Sequence, residues 1–260
     1  MVDGLGGRVD ITDDIDKEPV RTKESVHLAF PFQVPGGTVR FDLGWEVLRP
    51  EQDQLAGSCK DFFCVQRWAD VSNAELGVTL ATVDAPLMEI GGPTDESPGP
   101  QGVRRWREDV AVSHTLLSYV MNNYWHTNYR ADQEGRAEFR YSLRPHARFD
   151  RVAAYRFGVE ASQPLLLRAA PAGGGAPGLP LTLIPTRVAV TVLRPAGDGK
   201  GWILRLFNPS EEPDEFLYRW NGPGSGAVFG SDLSGAKGER LQLPIAVPPL
   251  GVRTIRVERQ

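Results

Sequence analysis

The sequence has 260 residues, 41% of them hydrophobic and 24% charged, with a net charge of −4. A chain of this size and balance is globular and buries roughly 70–75% of its unfolded surface, so it needs no disulfide staples. Its Lys and Arg residues are dispersed, which leaves no basic stripe to displace counterions and sets nucleic acids aside as partners. The spacing Cys59-x4-Cys64 matches no metal cage or thiol redox motif. No apolar run approaches the ~20 residues of a membrane span. The acidic start, MVDGLGGRVDITDDIDKE, lacks the apolar region of a secretory signal, so the cytoplasm is the expected compartment.

Along the chain, 28 glycines and 21 prolines punctuate short segments and leave little room for long helices. Val39, Phe41, Leu43, Trp45 and Val47 alternate with polar residues and predict one strand face. FFCVQRW and LGVTLATV are apolar in both phases, as in strands buried between layers. Gly91–Gly102 is too rich in Gly and Pro to hold a ladder and predicts an irregular surface loop. Alternation returns in Ala137, Phe139, Tyr141 and Leu143. A helix is expected over Asp150–Gly158, with Asp150 as N-cap and Gly158 as stop. Pro171–Pro180 is the natural boundary between domains. Beyond it, Val188, Val190 and Val192, then Phe216, Tyr218 and Trp220, predict further short strands ending in VRTIRVERQ. The pattern predicts an all-β protein built from β-sandwiches. Residues 1–24 are expected to form an extension, poorly structured or an edge strand. Residues 25–172 are then part of a large sandwich. Residues 173–260 supply a linker, closing strands and a small terminal sandwich.

The segment Asn122-Asn123-Tyr124-Trp125-His126-Thr127-Asn128-Tyr129 concentrates amide and aromatic side chains. Aromatic faces pack on the C–H faces of sugar rings, and amides both donate to and accept from hydroxyls. Asn122, Asn123, Trp125, Asn128 and Tyr129 are therefore candidate sugar-binding residues, with a core turn as the competing reading. Asp53, Gln54 and Asp61 face a sugar or a neighbouring domain, or else accept backbone N–H bonds in turns; Asp61 joins the candidate list. Asp84 fits a turn cap before Pro86. Arg67 and Arg140 fit ion pairs, His146 a surface or packing role at a strand end, and Cys59 and Cys64 small hydrophobes.

Several motifs in one order resemble a known family. AFPF (Ala29–Phe32), DQLAGSCKDFFCVQRWADVS (Asp53–Ser72), GVTLATVDAPLMEIGG (Gly77–Gly92) and NNYWHTNYRADQEGRAEFRYSL (Asn122–Leu143) resemble the C-terminal β region of glycoside hydrolase family 38, the α-mannosidases. GWILRLFNPSEE (Gly201–Glu212), SDLSG (Ser231–Gly235) and PPLGVRTIRV (Pro248–Val257) resemble its terminal β-sandwich module. The resemblance implies a large sandwich of the galactose-mutarotase type followed by a small one. It also implies mannosides as the carbohydrate, and a catalytic α/β domain as partner, in cis or in trans. In this family zinc, its His and Asp ligands and the aspartate nucleophile belong to that catalytic domain. The present residues carry no matching pattern: no histidine stands two residues before an aspartate, and His126-x-Asn128 substitutes an amide for a carboxylate. No cofactor is expected in this chain, nor does any carboxylate pair stand out for a retaining mechanism. The reading is a carbohydrate-associated scaffold that completes a sugar cleft and is inactive alone. Its alternatives are a stand-alone carbohydrate-binding module and a mutarotase-like enzyme using a His and a Glu for acid–base work.

Overall fold

The computed structural model describes residues 7–94, 106–110, 113–123, 132–166, 169, 181–222 and 226–259. The chain divides into two compact units, Met1–Pro164 and Leu165–Gln260. Among the described residues it is all-β, with short antiparallel strands and a single helix, and no helix is long and apolar enough to cross a membrane.

The first unit contains β1 (Val9–Lys17), β2 (Ser25–Pro31), β3 (Thr38–Asp42), β4 (Val47–Leu48), β5 (Phe63–Cys64), β6 (Trp68–Ser72), β7 (Gly77–Thr82), β8 (Leu87–Ile90), β9 (Thr115–Asn122), β10 (Gly135–His146) and α1 (Arg151–Ser162). Six strands pair in the order β1-β10-β7-β6-β3-β4, and four in the order β2-β9-β8-β5. The two sheets share one core. Val39, Phe41, Val71, Leu80 and Tyr141 of the first sheet meet Phe30, Phe63, Met88, Ile90 and Leu116 of the second. Ring centroids of Phe30 and Tyr141 lie 4.9 Å apart, and those of Phe41 and Phe63 lie 5.1 Å apart. The Tyr141 hydroxyl crosses the core to donate to Ser118 Oγ at 2.8 Å. As the run LGVTLATV predicts, β7 is almost wholly buried; FFCVQRW is not, since Cys64 and Gln66 stand exposed, and the strand buried throughout is β6, which begins at the last residue of that run.

The alternation from Val39 to Val47 does not form one strand. Gly44 takes φ +94° and turns the chain, so β3 pairs back onto β4 through Phe41–Leu48 and Asp42–Val47. Leu43 and Trp45 consequently stand exposed on the turn. A period of two cannot reveal such a reversal, because a hairpin can keep the phase on both sides of its turn.

Helix α1 begins where expected: Asp150 accepts the N–H groups of Val152 and Ala153 at 2.9 and 3.0 Å. It continues to Ser162, past the expected stop at Gly158. That glycine serves close packing instead. A Cβ there would lie 2.7 Å from Trp68 Cδ1 and 3.0 Å from Arg67 Cβ. The helix packs against β6, β7 and β10, covering the sheet face that points away from the core.

The second unit contains β11 (Leu181–Leu183), β12 (Ala189–Pro195), β13 (Gly201–Phe207), β14 (Asp214–Phe216), β15 (Tyr218–Trp220), β16 (Gly226–Ser231), β17 (Lys237–Arg240), β18 (Ile245–Val247) and β19 (Val252–Arg259). A five-stranded sheet, β12-β13-β19-β16-β17, is accompanied by the pairs β11-β15 and β14-β18. Leu204, Leu206, Val228, Ile255 and Val257 of the sheet pack with Leu181, Phe216, Tyr218, Ile245 and Val247 of the pairs. Phe216, Tyr218 and Trp220 alternate as predicted, but the chain changes pairing partner between Phe216 and Tyr218.

Phe41 is fully buried where the two sheets of the first unit meet. Replacing it with Ala is expected to cost about 3–5 kcal/mol, read from urea unfolding of the whole chain.

Candidate functional site

Asn122 and Asn123 close β9, where the strand meets the chain entering β2. Asn123 is 5% exposed and fully committed to that neighbour. Its Oδ1 accepts the Glu24 N–H at 2.7 Å, its Nδ2 donates to the Val20 carbonyl at 2.6 Å, and its own N–H donates to the Glu24 carbonyl at 3.1 Å. These bonds continue the β2–β9 ladder by side-chain means. Asn122 differs: its Oδ1 is buried without a hydrogen-bond partner among the described residues. Trp125, Asn128 and Tyr129 lie outside the described residues. Asp61 sits near the opposite edge of the same sheet, just before β5, and is 6% exposed. Its carboxylate accepts the Arg107 N–H at 2.9 Å. Arg107 in turn accepts the Lys60 N–H at its carbonyl and donates through its guanidinium to the carbonyls of Ile90 and Gly92. Asp61 thus fastens a connection, as does Asp53, which accepts both the backbone and guanidinium N–H groups of Arg49. Asp84 does not cap its own turn but forms a bidentate pair with Arg140 at 2.8 and 2.9 Å.

Two histidine–carboxylate pairs, unrecognised from sequence, occupy the faces of the sheets that point away from the core. The first unites His27 on β2, Glu89 on β8 and Tyr119 on β9. Glu89 is 0% exposed, and its Oε2 lies 2.9 Å from His27 Nε2. The other carboxylate oxygen accepts the N–H of Thr94 at 3.2 Å and also its hydroxyl. The imidazole stacks on Tyr119, with centroids 4.5 Å apart and planes 16° apart. Its neighbours Leu28 and Phe30 show the signal available in the sequence: His27 and Glu89 hold strand positions whose flanking residues are core.

The second pair is His146 with Asp70, centred on a buried carboxylate. Asp70 accepts from Ser72 Oγ, from Thr79 Oγ1 at 2.9 Å and from His146 Nε2 at 2.7 Å. His146 Nδ1 faces the Ala147 carbonyl at 3.1 Å. An acceptor opposite each ring nitrogen suits the imidazolium, the form in which both nitrogens donate. Burial lowers the pKa of His146, but the hydrogen bond to Asp70 and its charge outweigh this and raise it overall. Arg40 lies 3.7 Å from the same carboxylate and stacks over Phe149 at 4.6 Å. On this face too, burial pushes the Asp42 carboxyl up to about 6, against the Gly44 N–H and the Arg67 charge.

These clusters have the components of acid–base chemistry, but their carboxylates have no access to solvent. Glu89 and Asp70 are sealed from solvent, and the hydroxyl of Ser72 donates to Asp70 in a residue that is itself buried. Among the described residues no group of three or more His, Cys, Asp or Glu side chains converges to hold a metal. His114 faces the Gly37 carbonyl. The described residues therefore do not fit a catalytic zinc.

No family model and no curated protein sequence matches the chain. Solved structures do. An α-mannosidase from Enterococcus faecalis V583 superposes with a TM-score of 0.70 at 16% identity, over 96% of this chain and 27% of that one. A glycosyl hydrolase family 38 protein from Enterococcus faecalis gives 0.68 at 15% identity, over 96% and 28%. The fold is similar to that of part of each of these two proteins. The chain spans little more than a quarter of those proteins' lengths.

The raised pKa of His146 fixes the sign of a pH effect. Its contribution to stability is complete below the ordinary imidazole value of 6.5 and is lost as pH rises through the higher folded-state value. The urea midpoint of His146→Gln is therefore expected to fall furthest below the parent's in mildly acidic buffer. The two should converge as the pH is raised, in paired unfolding curves across that range.

Proposed function

We propose that this chain is the C-terminal β-sandwich portion of an α-mannosidase-like glycoside hydrolase. It is a carbohydrate-associated scaffold that helps to complete a sugar cleft and depends on a zinc-binding catalytic domain for hydrolysis. The observation that carries this reading is the asymmetry of the structural match: nearly all of this chain corresponds to little more than a quarter of an α-mannosidase. The site geometry supports it. The carboxylate of each histidine–carboxylate pair is sealed within the first unit, which fits a role in stabilising the fold. A mutarotase-like reaction would need such a pair to face a sugar, and the burial of Glu89 speaks against it.

The sugar-facing residues in this reading are Trp125, Asn128 and Tyr129, with Asn122 beside them. Asn123 fixes the end of β9 from which that segment departs. Burying the amide oxygen of Asn122 unpaired costs roughly 1–3 kcal/mol, so a partner there, including a ligand hydroxyl, is favoured. The catalytic domain is the natural cover for exposed apolar side chains around Gly57. Leu55 is 85% exposed, and Trp106 is 47% exposed with its indole N–H held by the Gly57 carbonyl at 3.0 Å. A contiguous exposed apolar patch marks a surface that binds protein, and this reading takes these two side chains as part of one. No nucleic acid or membrane enters this account, and the cytoplasm is its expected setting.

The purified chain is expected to show no hydrolysis of an aryl α-mannoside, with or without added zinc. Turnover above a blank that disappears on replacing one acidic residue of this chain would overturn the proposal.

A further inference from the structure

Asn221 is the one asparagine of the sequence that is followed by glycine. It lies exposed just beyond β15, and its Nδ2 donates to Thr182 Oγ1 on β11 at 2.7 Å. That bond supplements a short ladder in which Leu181, Thr182 and Leu183 pair with Trp220, Arg219 and Tyr218. The glycine is dictated by packing. A Cβ on Gly222 would lie 2.7 Å from Trp220 Cζ2 and 2.9 Å from Cε2, so the indole occupies the space a side chain would need. The fold thus places the backbone N–H of a residue without a Cβ directly after an exposed asparagine amide. Without a Cβ, the glycine nitrogen can approach the side-chain carbonyl of the residue before it.

We propose that Asn221 is a site of spontaneous deamidation, and that its conversion loosens β11 from β15. The Gly222 nitrogen gives up its proton and attacks Asn221 Cγ. The new N–Cγ bond forms as the Cγ–Nδ2 bond breaks, and the side-chain nitrogen leaves as ammonia with that proton. Water then opens the cyclic imide at either of its two C–N bonds, giving aspartate or isoaspartate. Nothing is oxidised or reduced, and water is the only co-reactant. The product carboxylate has no N–H to donate to Thr182, so the bond survives only if the Thr182 hydroxyl turns to donate instead, and the isoaspartate form also lengthens the backbone beside the ladder.

The test is to age the full chain in mildly alkaline buffer and map its peptides by mass spectrometry, with hydrogen exchange read on the same samples. The peptide holding Asn221 is expected to gain the mass difference between a hydroxyl and an amino group and to accumulate isoaspartate. Peptides holding Asn73 and Asn208 stay unchanged, and Asn221→Gln abolishes the gain. Amides of β11 exchange faster in the aged chain, and Asn221→Asp reproduces part of that acceleration without ageing. The proposal is overturned if Asn221 persists in the folded chain over an interval in which the urea-unfolded chain converts. It is equally overturned if conversion occurs and exchange in β11 does not change.

Discussion

The central strands of the first unit, β6 and β7 in one sheet and β8 and β9 in the other, are buried on both faces, and the bonding of the polar groups they carry follows from that constraint. A strand with one wet face, such as β1, discharges its polar residues into water; these strands cannot. The six-stranded sheet carries α1 on the face turned from the core, which is why Trp68 meets Gly158 and why no larger residue fits there. The four-stranded sheet has Leu117, Tyr119 and Glu89 buried on its corresponding face. Asp61, Arg107 and Thr94 hold down the chain segments that run beside it.

Charged groups trapped by this architecture must be satisfied internally, since an ionised carboxylate without partners costs several kcal/mol in a protein interior. Asp70 answers with two hydroxyls and an imidazole; one oxygen of Glu89 accepts from Thr94, while the other lies 2.9 Å from His27 Nε2 without forming a hydrogen bond. The same groups in an open cleft would invite a catalytic reading. The burial of both carboxylates speaks against it, because a proton relay needs a route to its substrate. The match to part of an α-mannosidase is a match of fold.

The sequence made the strand content legible, because alternation at Ala137–Leu143 and Phe216–Trp220 reports burial directly. It misread Val39–Val47 as one strand, since a hairpin turning at Gly44 preserves the period of two. It located the N-cap of α1 from the chemistry of Asp150 but ended the helix too early, because a glycine needed for close packing looks the same as one that stops a helix. The histidine pairs were illegible for a different reason. His27 meets Glu89, and His146 meets Asp70, only through sheet order, and no local spacing encodes that order. The candidate sugar segment was visible as composition. Of its members, Asn123 is engaged with backbone, while Trp125, Asn128 and Tyr129 stand outside the described residues.

The central claim is that the polar groups buried on the faces turned from the core serve the fold and not a ligand. Glu89→Gln tests it most directly, compared with the parent chain in two measurements: the free energy of urea unfolding, and calorimetric binding of a mannose-terminated oligosaccharide. Breaking a buried pair typically costs about 3–5 kcal/mol. The account predicts a loss of that order with sugar binding, if the parent shows any, unchanged. Unaltered stability together with lost sugar binding would contradict it.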